Sequence, residues 1–335
     1  WNYPLILALS PMVEALLAGN TVVLKPSEHT PLTTKLLKTV WDESTEMPHL
    51  FQTVYGADKI GNELVTSSHT DVICFTGSTA VGKKIAEDCA PLFKPVILEL
   101  GGKDPMIILD DADINRSVEA AIWGGLSNAG QTCISVERIY VQETIYREVA
   151  TKISDKIKGI SSGAGDTSLG AISVDAGMEK IKMQISDARE SSDVVEGNAD
   201  SGFFIPPTLV LNPPSKAKIL QDETFGPVMI IQPFQSDEEA VKLANMTGYG
   251  LSASIFGRNR KRMKAIARRI KAGTISLNDV LTHYGIADLP FGGMGLSGMG
   301  KVHGKEGLRA FCHQKGYMRN RIQLKSEFWW YKRGE

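Results

Sequence analysis

Across 335 residues, 37 Lys and Arg are set against 38 Asp and Glu for a net charge of −1, and 42% of the residues are hydrophobic. That length suits two domains, each with apolar residues enough for its own core, and the near-neutral balance excludes the basic footprint of a nucleic-acid-binding protein. Cys74, Cys89, Cys133 and Cys312 form no CxxC pair and have no histidine cluster beside them, which argues against a structural zinc or a disulfide framework and suits a reducing, cytoplasmic compartment.

Strand and helix signals alternate from the start. Pro11 to Leu17 reads as an apolar helical turn, 21–24 as a strand and Pro31 to Trp41 as a helix. Then come a strand at 51–55, a helix at 57–65, a buried strand at 72–75, a helix at 80–89 and a strand at 96–100. Such alternation predicts a parallel sheet covered on both faces, with its ligand crevice at the carboxyl ends of the strands. A second alternation begins at Pro105, and the boundary falls at Gly101-Gly102. It runs through a helix over 113–126 capped by Asp113, a strand at 138–141, and helices at 145–157 and near 175–191. Strands at 206–211, 228–231, 253–256 and 274–277 follow, the first an edge strand because of Pro206 and Pro207. The glycine-dense run from Pro290 to Gly300 is expected to be a packed loop without regular structure. The closing Phe328-Trp329-Trp330-Tyr331-Lys332-Arg333 is aromatic and basic, which suits contact with a membrane surface or a partner as well as a packed or frayed tail.

Cys133 lies in a small polar loop, Ser127 to Ser135, where helix gives way to strand. It reads either as a reachable nucleophile or as an unreactive buried thiol. Gly77-Ser78-Thr79-Ala80-Val81-Gly82-Lys83-Lys84 is one residue from a phosphate-binding P-loop, but Lys84 stands where a Mg²⁺-holding hydroxyl is needed. What survives is an anion site at a helix N-terminus, or a tight turn. Lys25 and Glu28 at a strand end suit ribose hydroxyls, or a surface ion pair. Glu99 ends an apolar strand, where partial desolvation would raise its pKa and fit it as a general base, or it caps the next element. Asn2 could offer its amide to an oxyanion.

An activated cysteine, a glutamate base, an amide donor and a dinucleotide site are the parts needed to oxidise an aldehyde through a thioester. The series Trp1-Asn2-Tyr3-Pro4, Lys25-Pro26-Ser27-Glu28, Phe75-Thr76-Gly77-Ser78, Glu99-Leu100-Gly101-Gly102-Lys103, Gly130-Gln131-Thr132-Cys133, Glu223-Thr224-Phe225-Gly226-Pro227 and Pro290-Phe291-Gly292-Gly293 resembles that of the aldehyde dehydrogenase superfamily, in its order. The Asn-Tyr-Pro wording and Phe311-Cys312-His313-Gln314-Lys315 resemble the class 3 branch, whose members act on aromatic and medium- to long-chain aldehydes.

The resemblance implies an α/β fold of two α/β domains with mainly parallel sheets. A Rossmann-like cofactor domain would span 1–101, a catalytic domain 102–282, and a segment returning to the cofactor domain or an oligomer interface 283–335. It implies Cys133 as nucleophile, Glu99 as the base that activates water, and Asn2 with the Cys133 backbone amide as oxyanion hole. Lys25 and Glu28 would hold the adenosine ribose, Ser78 with Gly77 and Gly82 the pyrophosphate, and Glu223 and Phe225 the nicotinamide ribose and ring, with Leu100 in the same cofactor set. NAD is the implied cofactor, with NADP tolerated, no metal and a homodimer. Members carry a further stretch before the Trp-Asn-Tyr-Pro motif, so an N-terminal truncation is expected, and membrane association of a longer form stays open.

Overall fold

The chain opens as α1 (Pro4–Leu17), β1 (Val22–Leu24), α2 (Pro31–Ser44), β2 (Phe51–Thr53), α3 (Asp58–Thr66), β3 (Ile73–Thr76), α4 (Thr79–Cys89) and β4 (Val96–Glu99) in the computed structural model. Residues 1–322 and 324–331 are described; Lys332 and Arg333 of the closing segment lie outside them. The first helix is longer than its apolar turn predicts. Pro4 needs no donor in the first turn, and Pro11 sits inside the helix, where it leaves the Leu7 carbonyl without its usual partner. The expected first sheet is divided: β1 pairs with β2 in parallel, and β3 separately with β4.

The second unit runs β5 (Asp104–Ile108), α5 (Ile114–Leu126), β6 (Val136–Gln142), α6 (Glu143–Lys158), β7 (Ser161–Ser162), α7 (Asp175–Arg189), β8 (Asp193–Glu196), β9 (Asn198–Ala199), β10 (Thr208–Leu211), β11 (Val228–Phe234), α8 (Asp237–Ala244), β12 (Ser252–Phe256), α9 (Arg260–Ala267) and β13 (Thr274–Leu277). Seven strands form its sheet in the order β13-β12-β5-β6-β11-β10-β8, parallel throughout except for β8 against β10. Contrary to expectation, 208–211 is not an edge. β10 is paired on both sides, because Pro206 and Pro207 precede the first ladder residue and cost it no hydrogen bond.

Both faces of this sheet are covered. Met106 and Ile108 of β5 join the core under α5, α6 and α7, while Ile107 joins the one under α8 and α9; all three are fully buried. That explains why β5 reads as an unbroken apolar run, with about 1.5–3 kcal/mol gained for each such side chain. Asp113 caps α5 as its position predicts, accepting from the Arg116 N–H at 3.1 Å.

The chain then returns to the first unit. The glycine-dense run contains regular structure after all: β14 (Gly298–Met299) pairs antiparallel with β4, Gly298 opposite Glu99, and α10 (Gly304–Ala310) follows. Glycines allow this close approach to β4, which is why composition alone reads as loop. The closing aromatics Phe328, Trp329, Trp330 and Tyr331 are exposed. Among the described residues no helix is long and apolar enough to cross a membrane.

Candidate active site

Glu99 and Cys133 wall the same small cleft, with Leu7, Pro11, Cys74, Thr76, Leu100, Tyr284, Phe291 and Val302. Each reaches it from a different element. Glu99 is the last residue of β4, and Cys133 follows the one-turn helix that prolongs α5. Leu7 and Pro11 come from α1, while Phe291 and Val302 come from the returning C-terminal segment.

The cysteine loop is strongly constrained. Asn128 and Ala129 both hold φ of 54°, a left-handed conformation costing on the order of 1 kcal/mol for a residue with a side chain. Buried Gln131 fastens the loop by donating to Asn128 O at 3.0 Å and Ala171 O at 3.2 Å and accepting from Ser173 N at 2.9 Å. Asn2 donates its side-chain amide to Gln131 O at 3.0 Å, and the Tyr3 hydroxyl lies 2.8 Å from Thr132 Oγ1. Asn2 is thereby tied to the loop two residues before the thiol. Behind the thiol, a Cβ on Gly102 would collide with the Cys133 carbonyl oxygen, so only glycine admits this approach of the two segments.

Both carboxyl oxygens of Glu99 are buried and unpartnered among the described residues. Burial pushes its pKa up to about 9, against the opposing charge of Lys301 and with the help of Glu14. Sequence reasoning placed Glu99 correctly at a strand end but had no signal for Lys301 or Glu14, which arrive through tertiary packing. Cys133 departs from the expected activated thiol. Burial, and then the carboxylates of Asp104, Glu99 and Glu223, push it far above the ordinary thiol range, so it rests protonated. Cys74 lies in the same cleft with its thiol pushed up to about 12, chiefly by burial.

The remaining candidates lie around this cleft in separate places. Glu223 folds onto the glycine pair, accepting from Gly102 N at 2.9 Å, and burial raises its pKa to about 7. Phe225, two residues on, takes φ 57° and packs edge-on against Trp1, ring centroids 5.5 Å apart. Ser78 is the N-cap of α4, accepting from Val81 N at 3.3 Å, and Gly77 N donates to Glu99 O at 3.0 Å. Gly82 is buried inside α4 against Leu100, whose Cδ2 would lie 2.5 Å from a Cβ there. These two residues thus pack on each other, and Leu100 also walls the cleft. Lys25 and Glu28 follow β1, 3.6 Å apart, and Lys25 Nζ also donates to Pro26 O at 2.8 Å and Gly56 O at 2.9 Å. The donor set fits a dinucleotide: a helix N-terminus for phosphate and a half-exposed carboxylate for hydroxyls, each at the carboxyl end of a parallel strand.

Two α/β units thus bring a thiol and a carboxylic acid to one cleft. The model of the aldehyde dehydrogenase family matches residues 1–316, and the chain belongs to that family. It is 36% identical to the 4,4'-diapolycopene aldehyde oxidase of a Methylomonas species, over 99% of this chain and 63% of that protein. It is 35% identical to aldehyde dehydrogenase [NAD(P)+] 2 of Saccharomyces cerevisiae, over 94% of this chain and 65% of that one. The solved betaine aldehyde dehydrogenase of Staphylococcus aureus, in complex with NAD+, superposes with a TM-score of 0.87 at 33% identity, over 93% of this chain and 64% of that chain. The chain therefore spans a little under two thirds of the length of these relatives.

Proposed function

We propose that the chain carries the catalytic machinery for NAD- or NADP-dependent oxidation of an aldehyde to its carboxylic acid. The observation that carries this reading is the shared cleft of Cys133 and the unpartnered Glu99 carboxyl. Cys133 gives up its thiol proton to solvent as Sγ adds to the aldehyde carbon, and the developing alkoxide is met by the Asn2 side-chain amide and the Cys133 backbone N–H. Glu223 and Phe225 would hold the nicotinamide ribose and ring, and the bound nicotinamide would supply the hydride acceptor for this oxidation. Glu99 then takes a proton from the water that hydrolyses the Cys133 thioester, for which its raised pKa suits it. Lys25 and Glu28 would hold the adenosine ribose, and Ser78 at the N-terminus of α4 the pyrophosphate.

The apolar walls contributed by Leu7, Tyr284, Phe291 and Val302 support an aromatic or medium- to long-chain aldehyde over a charged one. A cytoplasmic homodimer is the assembly we propose, resting on the class 3 resemblance and the free thiols; light scattering tests it. A second reading, a fold that binds nucleotide without turnover, is favoured by the protonated resting state of Cys133. NADH formation from benzaldehyde and from a long-chain aldehyde decides between them. Turnover abolished by Cys133→Ala, with NAD binding kept, is the expected result; turnover surviving that change overturns the assignment of Cys133.

A further inference from the structure

Glu137 stands four residues beyond Cys133 on β6, and its side chain is only 3% exposed. Its carboxylate is paired with Lys103 Nζ, which is fully buried. The same carboxylate accepts from Thr224 N at 3.1 and 2.9 Å and from Phe225 N at 3.1 Å. Lys103 Nζ in turn donates to Thr224 Oγ1 at 3.0 Å. One buried ion pair thus grips the Glu223-Thr224-Phe225 turn from within, while Gly102, the neighbour of Lys103, donates to the Glu223 carboxylate. The left-handed backbone of Phe225 is unfavourable for a residue with a side chain and persists only where its surroundings over-determine it. Two amides held by one charged acceptor provide that determination.

We propose that Glu137, assisted by Lys103, is a positioning residue that sets the Glu223–Phe225 turn for the nicotinamide half of the cofactor. The inference rests on the functional reading above and assigns a role to a charge pair that the chemistry leaves idle. Buried pairs are often replaceable by apolar residues without loss of stability. A pair retained here to aim a turn must therefore show itself in cofactor geometry and not in folding alone.

The test compares two double variants of the full chain, both free of this buried charge pair. Lys103→Met with Glu137→Gln keeps an oxygen acceptor for the two amides; Lys103→Met with Glu137→Met removes it. NADH affinity is read by fluorescence titration, turnover by NADH formation, the state of the nucleophile by iodoacetamide alkylation of Cys133, and folding by thermal melting. The methionine pair is expected to weaken NADH binding about tenfold and lower kcat, with Cys133 alkylation within about twofold of the parent. The glutamine variant is expected to stay within about threefold in every readout. Parent-like NADH binding and turnover in a folded methionine pair overturn the proposal. Should that pair fail to melt cooperatively, Glu137→Asp decides: it keeps the charge but withdraws the acceptor, and unchanged NADH affinity overturns the idea. A parent chain that neither binds nor forms NADH overturns the functional reading itself, and this inference with it.

Discussion

Gly292 holds φ of 148° directly against the Glu99 carboxyl, where a Cβ would come within 2.6 Å of Oε1. No L side chain adopts that backbone without strain, and none fits the space. Gly292→Ala should cost about 1–3 kcal/mol of stability and displace Glu99. Urea unfolding reads the first effect. The second appears as lost turnover with Cys133 alkylation preserved; full turnover in a destabilised variant would show that Glu99 does not depend on this glycine.

Glu99 itself carries a trade-off between activity and stability. Its folded pKa is about 9 against an ordinary value of 4.5, so the folded chain holds a proton that the unfolded chain releases. The stabilisation from that proton is complete below about pH 4.5 and is lost as pH rises toward about 9. Glu99→Gln keeps a neutral group at every pH. It should raise stability at pH 8 by on the order of 1–3 kcal/mol while abolishing thioester hydrolysis. Melting curves at pH 5 and pH 8 check the sign: the gain must grow with pH. In the parent, turnover limited by hydrolysis should climb with pH up to about 9.

Among the charges raising the Cys133 thiol, Asp104 ranks first, behind burial itself. Its carboxylate accepts from Ser252 N at 3.0 Å and from Ser252 Oγ at 2.5 Å, bonds that an asparagine oxygen can also accept. Asp104→Asn removes the negative charge, so the pH midpoint of Cys133 alkylation should move down. An unmoved midpoint would remove Asp104 from the causes and leave burial with Glu99 and Glu223.

Arg138 is the largest fully buried side chain and ties three elements together. It donates to Lys103 O at 2.7 Å, to Leu243 O at 3.0 Å and to Ala244 O at 3.0 Å, closing the C-terminal carbonyls of α8. Arg138→Met should cost about 3 kcal/mol or more, because the Lys103 and Ala244 carbonyls lose a buried charged donor, while Leu243 O keeps the Met246 N–H. Arg138→Lys should rescue only part, since a single ammonium cannot span the fork. Chemical denaturation of both variants measures the difference.

The sequence made the alternation of elements plain wherever a strand is buried on both faces, as at 106–108 and 228–231, because such strands are unbroken apolar runs. It misled where a residue type has two structural uses. Proline stands just before the internal strand β10 and inside α1, and glycine builds β14 instead of a loop. The placement of Cys133 and Glu99 at the ends of elements was legible because each is followed or preceded by small residues. Glu137 was not. It lies inside an apolar strand, and its partners come from residues 103, 224 and 225, a contact that no local pattern encodes.

Because β4 gains its second neighbour from Gly298 and Met299, the wall behind Glu99 depends on a segment that leaves the ribosome long after β4 itself. Until then the strand bearing Glu99 has an open edge during synthesis, with β3 as its neighbour. Any nascent chain arrested before Gly292 would hold Cys133 and Glu99 without Val302 and without the strand that covers β4. The order of translation thereby delays the closing of the cleft around Cys133 and Glu99 until the segment carrying Gly298 exists.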